Sequence, residues 1–153
     1  MIAKKSDLIL ESFAILNSHI KFNIPPKDKK INAIEILNSY PVDIDFNIDY
    51  NSTDNIYRII VSIKINVDPE AKKPGYSIAI TGVGFFQFDN QSKITEEQKS
   101  LMLQTSALSI CITNLRSYIV NQTSYYPWGS FSFHAIDIQD LLMIKAKNEK
   151  KSR

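Results

Sequence analysis

Glycine, cysteine and histidine are scarce in this chain, and each scarcity closes a route. The four glycines, Gly75, Gly82, Gly84 and Gly129, are too scattered to build a phosphate-cradling loop. Cys111 is the sole cysteine, so no intrachain disulfide can form and a reducing compartment fits. His19 and His134 are the only histidines, and neither falls in a spaced metal or nucleophile motif. Asp137 and Asp140 stand three apart at a helix start, which suits capping better than acid–base pairing. No metal, cofactor or catalytic residue is therefore expected, and the chain does not read as an enzyme. No run is long and apolar enough to span a membrane, and the N-terminal segment is a poor signal peptide. A cytoplasmic location is expected.

Basic charge is also scarcer than the net +2 suggests. From residue 143 onward there are five basic residues (Lys145, Lys147, Lys150, Lys151, Arg153) and one acid, Glu149. The residues before them are therefore slightly acidic and carry no basic stripe, so nucleic-acid binding is not expected. With 44% apolar and 22% charged residues, the chain is ordinary for a globular protein. One domain over 1–153 is expected, with an ordered body over about 8–144 and a basic tail at 145–153.

What is present in quantity is alternation. Val42, Ile44, Phe46, Ile48 and Tyr50 alternate with Asp43, Asp45, Asn47 and Asp49. Residues 56–67 repeat the pattern, with Tyr57, Ile59, Val61, Ile63, Ile65 and Val67 on one face and Arg58, Ile60, Ser62, Lys64 and Asn66 on the other. Period two puts one set on a core and the other on an open face. A turn-rich connection leads to a partner strand over 76–88, where Gly82 and Gly84 mark a bulge or close packing. Residues 13–22 read as a first strand of ragged periodicity, and 23–41 as a connection. Strands with two unlike faces imply an antiparallel sheet covered on one side.

A long helix follows over 95–121. Thr95 and Gln98 form a capping box, and Glu96 and Glu97 suit the positive end of the helix dipole. Leu101, Leu108, Cys111, Ile112, Leu115, Tyr118 and Ile119 make the stripe expected to cover the sheet. The opposite side carries Ser106, Ser109, Thr113, Asn114 and Ser117, with Arg116 the only charge between Ser100 and Asn121. Small hydroxyl residues in place of Lys and Glu suggest a subunit interface with the same helix of another copy. Tyr125, Tyr126, Pro127, Trp128 and Gly129 then form an aromatic loop that reads as an adaptable apolar surface. A strand-like Phe131-Ser132-Phe133-His134 follows, then a second helix capped by Asp137.

In this order, the segments resemble the SecB family of protein-export chaperones. The stretch from Phe131 to Leu142 looks like the family's alternating segment leading into its short helix. Gly75 to Gly82 resembles its last strand, Arg116 the arginine near the end of its long helix, and Tyr126-Pro127 its loop. The resemblance runs from about Phe13 to Leu142. It implies an α+β fold: a four-stranded antiparallel sheet with one long and one short helix packed on one face, assembled as a dimer of dimers. It also implies an ATP-independent holdase that takes unfolded polypeptides in apolar grooves and keeps preproteins export-competent for the Sec translocase. By position, the client-binding candidates are Tyr125, Tyr126, Trp128, Phe131, Phe133, Ile138, Leu141 and Leu142. Asp43, Asp45 and Asp49 correspond to the acidic strand face that docks the motor SecA. The chain departs from the family in its basic tail and in Trp128-Gly129, which insert into the loop. The alternative role is that of SecB-like proteins that hold the antitoxin of a toxin–antitoxin module. A small apolar-ligand carrier is the remaining reading.

Overall fold

Alternating residues pair into a four-stranded antiparallel sheet of order β1-β4-β3-β2. The computed structural model describes residues 1–3, 5–27, 30–91 and 93–151. Its elements run β1 (Leu8–Asn23), α1 (Ala33–Asn38), β2 (Val42–Asn51), β3 (Ile56–Ile65) and β4 (Gly75–Phe88), then α2 (Glu96–Met102), a π-helical turn (Leu103–Ala107), α3 (Leu108–Thr123) and α4 (Ile138–Lys151). Asp28 and Lys29 of the expected connection, and Arg153 of the expected tail, lie outside the described residues.

The expected faces are observed through the sheet centre, but Tyr50 is 47% exposed, and β3 ends at Ile65, where Asn66 turns with positive φ and is buried. Ile59, Val61, Ile63 and Ile65 of β3 are fully buried, and they stand opposite Gly84, Gly82, Ile80 and Ile78 of β4. Each such side chain contributes roughly 1.5–3 kcal/mol by leaving water. From the helix side, α3 covers them with Leu108, Cys111, Ile112, Leu115 and Ile119. Gly82 and Gly84 mark close packing. A Cβ at Gly84 would lie 2.6 Å from the Cys111 sulfur, and one at Gly82 would lie 2.9 Å from Leu115. The bulges fall instead in β1, between Leu10 and Ser12 and between Ile15 and Asn17.

Four expectations need correction. The strand β1 begins at Leu8, five residues earlier than its ragged periodicity suggests. Inside the expected connection lies α1, capped by Asn32, whose side chain accepts from the Ile34 and Glu35 amides. The segment 131–134 is extended but pairs with no strand. Leu101 is 60% exposed, not part of the covering stripe. The π-helical turn accounts for this. Leu108 N–H reaches back five residues to the Leu103 carbonyl, which rotates every position before it relative to α3. The Thr105 hydroxyl donates to the Leu101 carbonyl at 2.7 Å and holds that turn open.

The capping box at Thr95 and Gln98 is present in both directions. Asp137 caps α4 by accepting from the Gln139 and Asp140 amides. That helix runs through Lys151, so most of the expected tail is helical.

Burial in the helix–sheet seam pushes the Cys111 thiol up to about 12. Native protein at pH 8 is therefore expected to resist a thiol reagent, and denatured protein to label fully. Labelling of the native form at the denatured rate would contradict this packing.

Candidate functional site

The aromatic loop is anchored, which corrects its reading as a free adaptable surface. Tyr126 donates through its hydroxyl to the Ile20 carbonyl of β1 at 3.1 Å. Trp128 stands edge-on to Phe22, with ring centroids 5.4 Å apart. The Tyr76 hydroxyl donates to the Gly129 carbonyl. A reverse turn, Gly129 N–H to Tyr126 O at 2.9 Å, closes the loop. Tyr126 and Trp128 are half-buried, and of the loop's aromatic residues Tyr125 projects, at 91% exposure.

Phe131 and Phe133 are core residues, 4% and 5% exposed, and their rings also floor a shallow depression at the surface. Phe131 packs on Tyr40 and Tyr76 at 5.7 and 5.9 Å. Its amide donates to the buried Thr123 hydroxyl at 2.8 Å, and that hydroxyl donates to the Ile119 carbonyl. Arg116 lies over the Phe133 ring at 4.8 Å and donates to the His134 carbonyl at 3.2 Å. Segment 131–134 is thus tied to α3 from both ends. Replacing Thr123 by valine keeps the volume but strands the Phe131 N–H. A loss of about 1–3 kcal/mol in unfolding free energy is expected by urea titration. An unchanged midpoint would show that water satisfies that amide.

Beside this anchored segment runs an open trough, apolar at one end and charged at the other. A depression of about 70 Å³ between Leu37, Tyr40, Val42, Phe133 and Ile136 is its aromatic end. It adjoins a second depression, of about 240 Å³, which shares Val42 and Ile136 and adds Ile44, Leu141 and Ile144. A third, of about 670 Å³, continues past Ile44 and Ile144 to Asp43, Asp45, Lys64, Asn148 and Glu149. One wall is the edge strand β2, and the other is α4. Ile138, Leu141 and Leu142 are half-buried on α4, which has no buried residue. Of the sequence-based candidates, Leu141 lines the open trough, Phe131 and Phe133 back it, and Tyr126 and Trp128 sit elsewhere. Leu37, Tyr40, Val42, Ile44, Ile136 and Ile144 were missed. The alternation of Val42 and Ile44 marks them as covered-face residues, but nothing local says that their strand is an edge.

Tyr40 fixes the aromatic end. Its hydroxyl donates to the Pro74 carbonyl and accepts from the Tyr76 amide at 3.0 Å. Burial pushes that hydroxyl up to about 12, so it stays neutral. The Tyr76 hydroxyl is raised by burial too.

Two of the three carboxylates on the acidic strand face are ion-paired within the chain. Asp45 accepts from Lys145 of α4 at 2.6 Å, and that bond holds its carboxyl below the usual range. Asp49 pairs with Arg58. Asp43 remains exposed. On the helix side, Ser106, Thr113 and Ser117 are exposed, while Ser109 and Asn114 are half-buried. Asn114 donates back to the Ile110 carbonyl at 2.9 Å.

No family model matches the chain, and no curated protein matches it by sequence. Solved structures do match its fold. One is the SecB-like chaperone Rv1957 of Mycobacterium tuberculosis, in complex with a ChAD peptide from the Rv1956 HigA1 antitoxin. It aligns with a TM-score of 0.61 at 11% identity, over 86% of this chain and 91% of its own. A protein of unknown function from Streptococcus agalactiae aligns at a TM-score of 0.40 and 8% identity, over 84% and 97% of the two chains, too distant to bear on the reading. The chain has a SecB-like α+β fold. No helix among the described residues is long and apolar enough to cross a membrane.

Proposed function

We propose that this protein is a non-catalytic, ATP-independent holdase that binds unfolded polypeptide along the β2–α4 trough. The observation that carries the reading is the trough itself: shallow and open beside an edge strand, lined by aliphatic and aromatic side chains from Leu37 to Ile144 and by charged ones at its far end, Asp43, Asp45, Lys64 and Glu149. Shallow sites in a row suit an extended segment, with each large side chain contributing roughly 1.5–3 kcal/mol. A client held at several such sites is retained by effective concentration, without a deep pocket. An enclosed small ligand fits this shape less well. The SecB-like fold supports the reading.

Two client classes follow from it. Preproteins bound for export are one. An antitoxin is the other, favoured by the antitoxin peptide bound to the structural neighbour. Docking on SecA through Asp43, Asp45 and Asp49 is the less favoured part, since Asp45 and Asp49 are already ion-paired.

Assembly as a dimer of dimers belongs to the same proposal. The edge strand β1 leaves Ile9, Leu10 and Leu16 exposed, Leu16 by 58%, and an apolar edge of this kind invites pairing with another chain. The charge-poor face of Ser106, Thr113 and Ser117 offers a second contact. The test is suppression of the aggregation of a heat-unfolded client without nucleotide, alongside the solution mass. Suppression by a tetramer supports both parts. Aggregation at the control rate removes the holdase reading, and a monomeric mass removes the assembly.

A further inference from the structure

The trough's two apolar depressions differ in size and in the stiffness of their walls. The one at the Tyr40 end holds about 70 Å³, under half of the roughly 150 Å³ that accepts a benzene ring. Its neighbour holds about 240 Å³, enough for a ring. They share Val42 and Ile136, so they are adjacent. The small one cannot widen easily. Phe131 and Phe133 floor it from the core, with Phe133 under the Arg116 guanidinium. Tyr40 is held by the Pro74 carbonyl and the Tyr76 amide. The α1 wall, which carries Leu37, is tied down at its end. Lys73 donates through Nζ to the Ser39 carbonyl and to the Ser39 hydroxyl, each at 2.9 Å. Lys73 is itself fixed. The buried Asn66 side chain accepts from its amide at 2.8 Å and donates to its carbonyl at 2.9 Å. The larger depression takes one wall from α4, a helix with no buried residue, and that wall can yield.

We infer that the trough reads a pair of client side chains: a branched aliphatic one in the rigid Tyr40 end and an aromatic one in the larger, yielding depression. The inference rests on the holdase reading and names the class of segment that the site takes. In an extended client, side chains two residues apart lie on one face, roughly 7 Å from each other. Val42 lines both depressions and Ile44 only the larger, so a client running along β2 passes from one to the other within about two residues. A ring pushed into the small end meets packed walls, and overpacking of that kind is costly. An aliphatic side chain in the larger depression leaves apolar surface in water. Lys73 and Asn66 line neither depression. They act through Ser39 and the loop before β4, and are positioning residues for the small end.

The test uses full-length protein and fluorescein-labelled glycine–serine polypeptides, which stay unfolded. Each carries several copies of one pair of apolar residues spaced two apart, so that weak single contacts add up. Reduced, carboxymethylated lactalbumin serves as the general unfolded client. The leucine–phenylalanine probe is expected to bind tightest. The probe with two phenylalanines is expected to bind weaker by roughly five- to a hundredfold, the cost of overpacking. The probe with two leucines is expected to bind weaker by about three- to tenfold, for the ring surface it lacks. Leu37→Ala opens the small end and is expected to erase the penalty on two phenylalanines. Lys73→Met keeps the stem but frees Ser39, and is expected to narrow the same gap by about three- to tenfold, the scale of its lost hydrogen bonds. Lost stability alone would weaken all probes alike and leave the gap unchanged. If lactalbumin binds and two phenylalanines bind as tightly as the mixed pair, the aliphatic end is overturned and the holdase reading stands. Two leucines binding as tightly as the mixed pair overturn the aromatic half in the same way. An unchanged gap in Leu37→Ala overturns the placement at the Tyr40 end, and an unchanged gap in Lys73→Met overturns the positioning role. If lactalbumin binds and no probe does, the pair is overturned as the unit of recognition. If neither lactalbumin nor any probe binds, the holdase reading falls and takes the pair with it.

Discussion

Replacing Gly75 by alanine is expected to lower the unfolding free energy by about 2–5 kcal/mol, combining backbone strain with overpacking. Gly75 begins β4 with φ +91°, a conformation that side-chain-bearing residues rarely adopt. A Cβ there would also collide with the Trp128 ring and the Tyr40 hydroxyl. Neither neighbour can yield cheaply. Trp128 is wedged against Phe22, and the Tyr40 hydroxyl serves two backbone groups of the same turn. The collision should also move the Trp128 emission, since the indole must leave the aromatic cluster. Gly129→Ala is the control. It has φ +71° but nothing within 4 Å of the added Cβ, so only strain of about 1–2 kcal/mol is expected. Urea titration of both variants separates the two costs. Equal losses would mean that the aromatic loop is not packed on Gly75.

Replacing Leu141 by glutamine is expected to weaken client binding by roughly ten- to a hundredfold while leaving the fold intact. Leu141 faces Val42 and Ile44 across the trough. An apolar client side chain seated there gains roughly 1.5–3 kcal/mol, which is the stated range in Kd. Glutamine is nearly as good a helix former as leucine, and the position is only half-buried, so a stability loss of about 1 kcal/mol is expected, too small to unfold the protein. Tyr125→Ser is the comparison. It removes the most exposed aromatic of the loop, yet it lies outside the trough. Its effect on Kd is expected to stay within about twofold, the scale of a surface substitution. Titration of a labelled unfolded polypeptide measures both. If Tyr125→Ser costs more than Leu141→Gln, the client sits on the loop, as the sequence alone suggests, and not in the trough.

The central strands were legible because a half-covered sheet writes its two faces into the chain as period two. Residues 42–50 and 76–88 were read to within a residue of Val42–Asn51 and Gly75–Phe88. At the edge the same logic failed. The two bulges in β1 each shift the register by a residue, so its apolar positions change face and the alternation breaks. The helix α1 was legible in principle, since Asn32 and Glu35 form a capping pair at 2.9 Å. Phe131 and Phe133 alternate like a strand because one side of an extended segment faces the core, and alternation alone does not reveal whether a partner strand exists. Leu101 misled because a stripe drawn at α-helical spacing assumes an unbroken helix, which the π-helical turn denies.

The candidate site was legible in its apolar residues and hidden in its geometry. Leu141 could be named from its position beside Asp137 and Asp140. That it faces Ile44 across a trough depends on β2 being the sheet edge, which only the strand order settles. The aromatic loop drew attention because it concentrates Tyr125, Tyr126 and Trp128. Yet the bonds that anchor it reach Ile20 and Tyr76, more than fifty residues away in sequence. The pairing of Lys145 with Asp45 spans a hundred residues and leaves no local trace.

Direct binding is the measurement that reaches furthest into the account. A fluorescein-labelled polypeptide would be titrated with the full-length protein without nucleotide, once held unfolded and once folded. A saturable rise in anisotropy is expected with the unfolded form alone, weakened by Leu141→Gln. No rise with the unfolded form, or equal binding of the folded one, would contradict a holdase working through the β2–α4 trough.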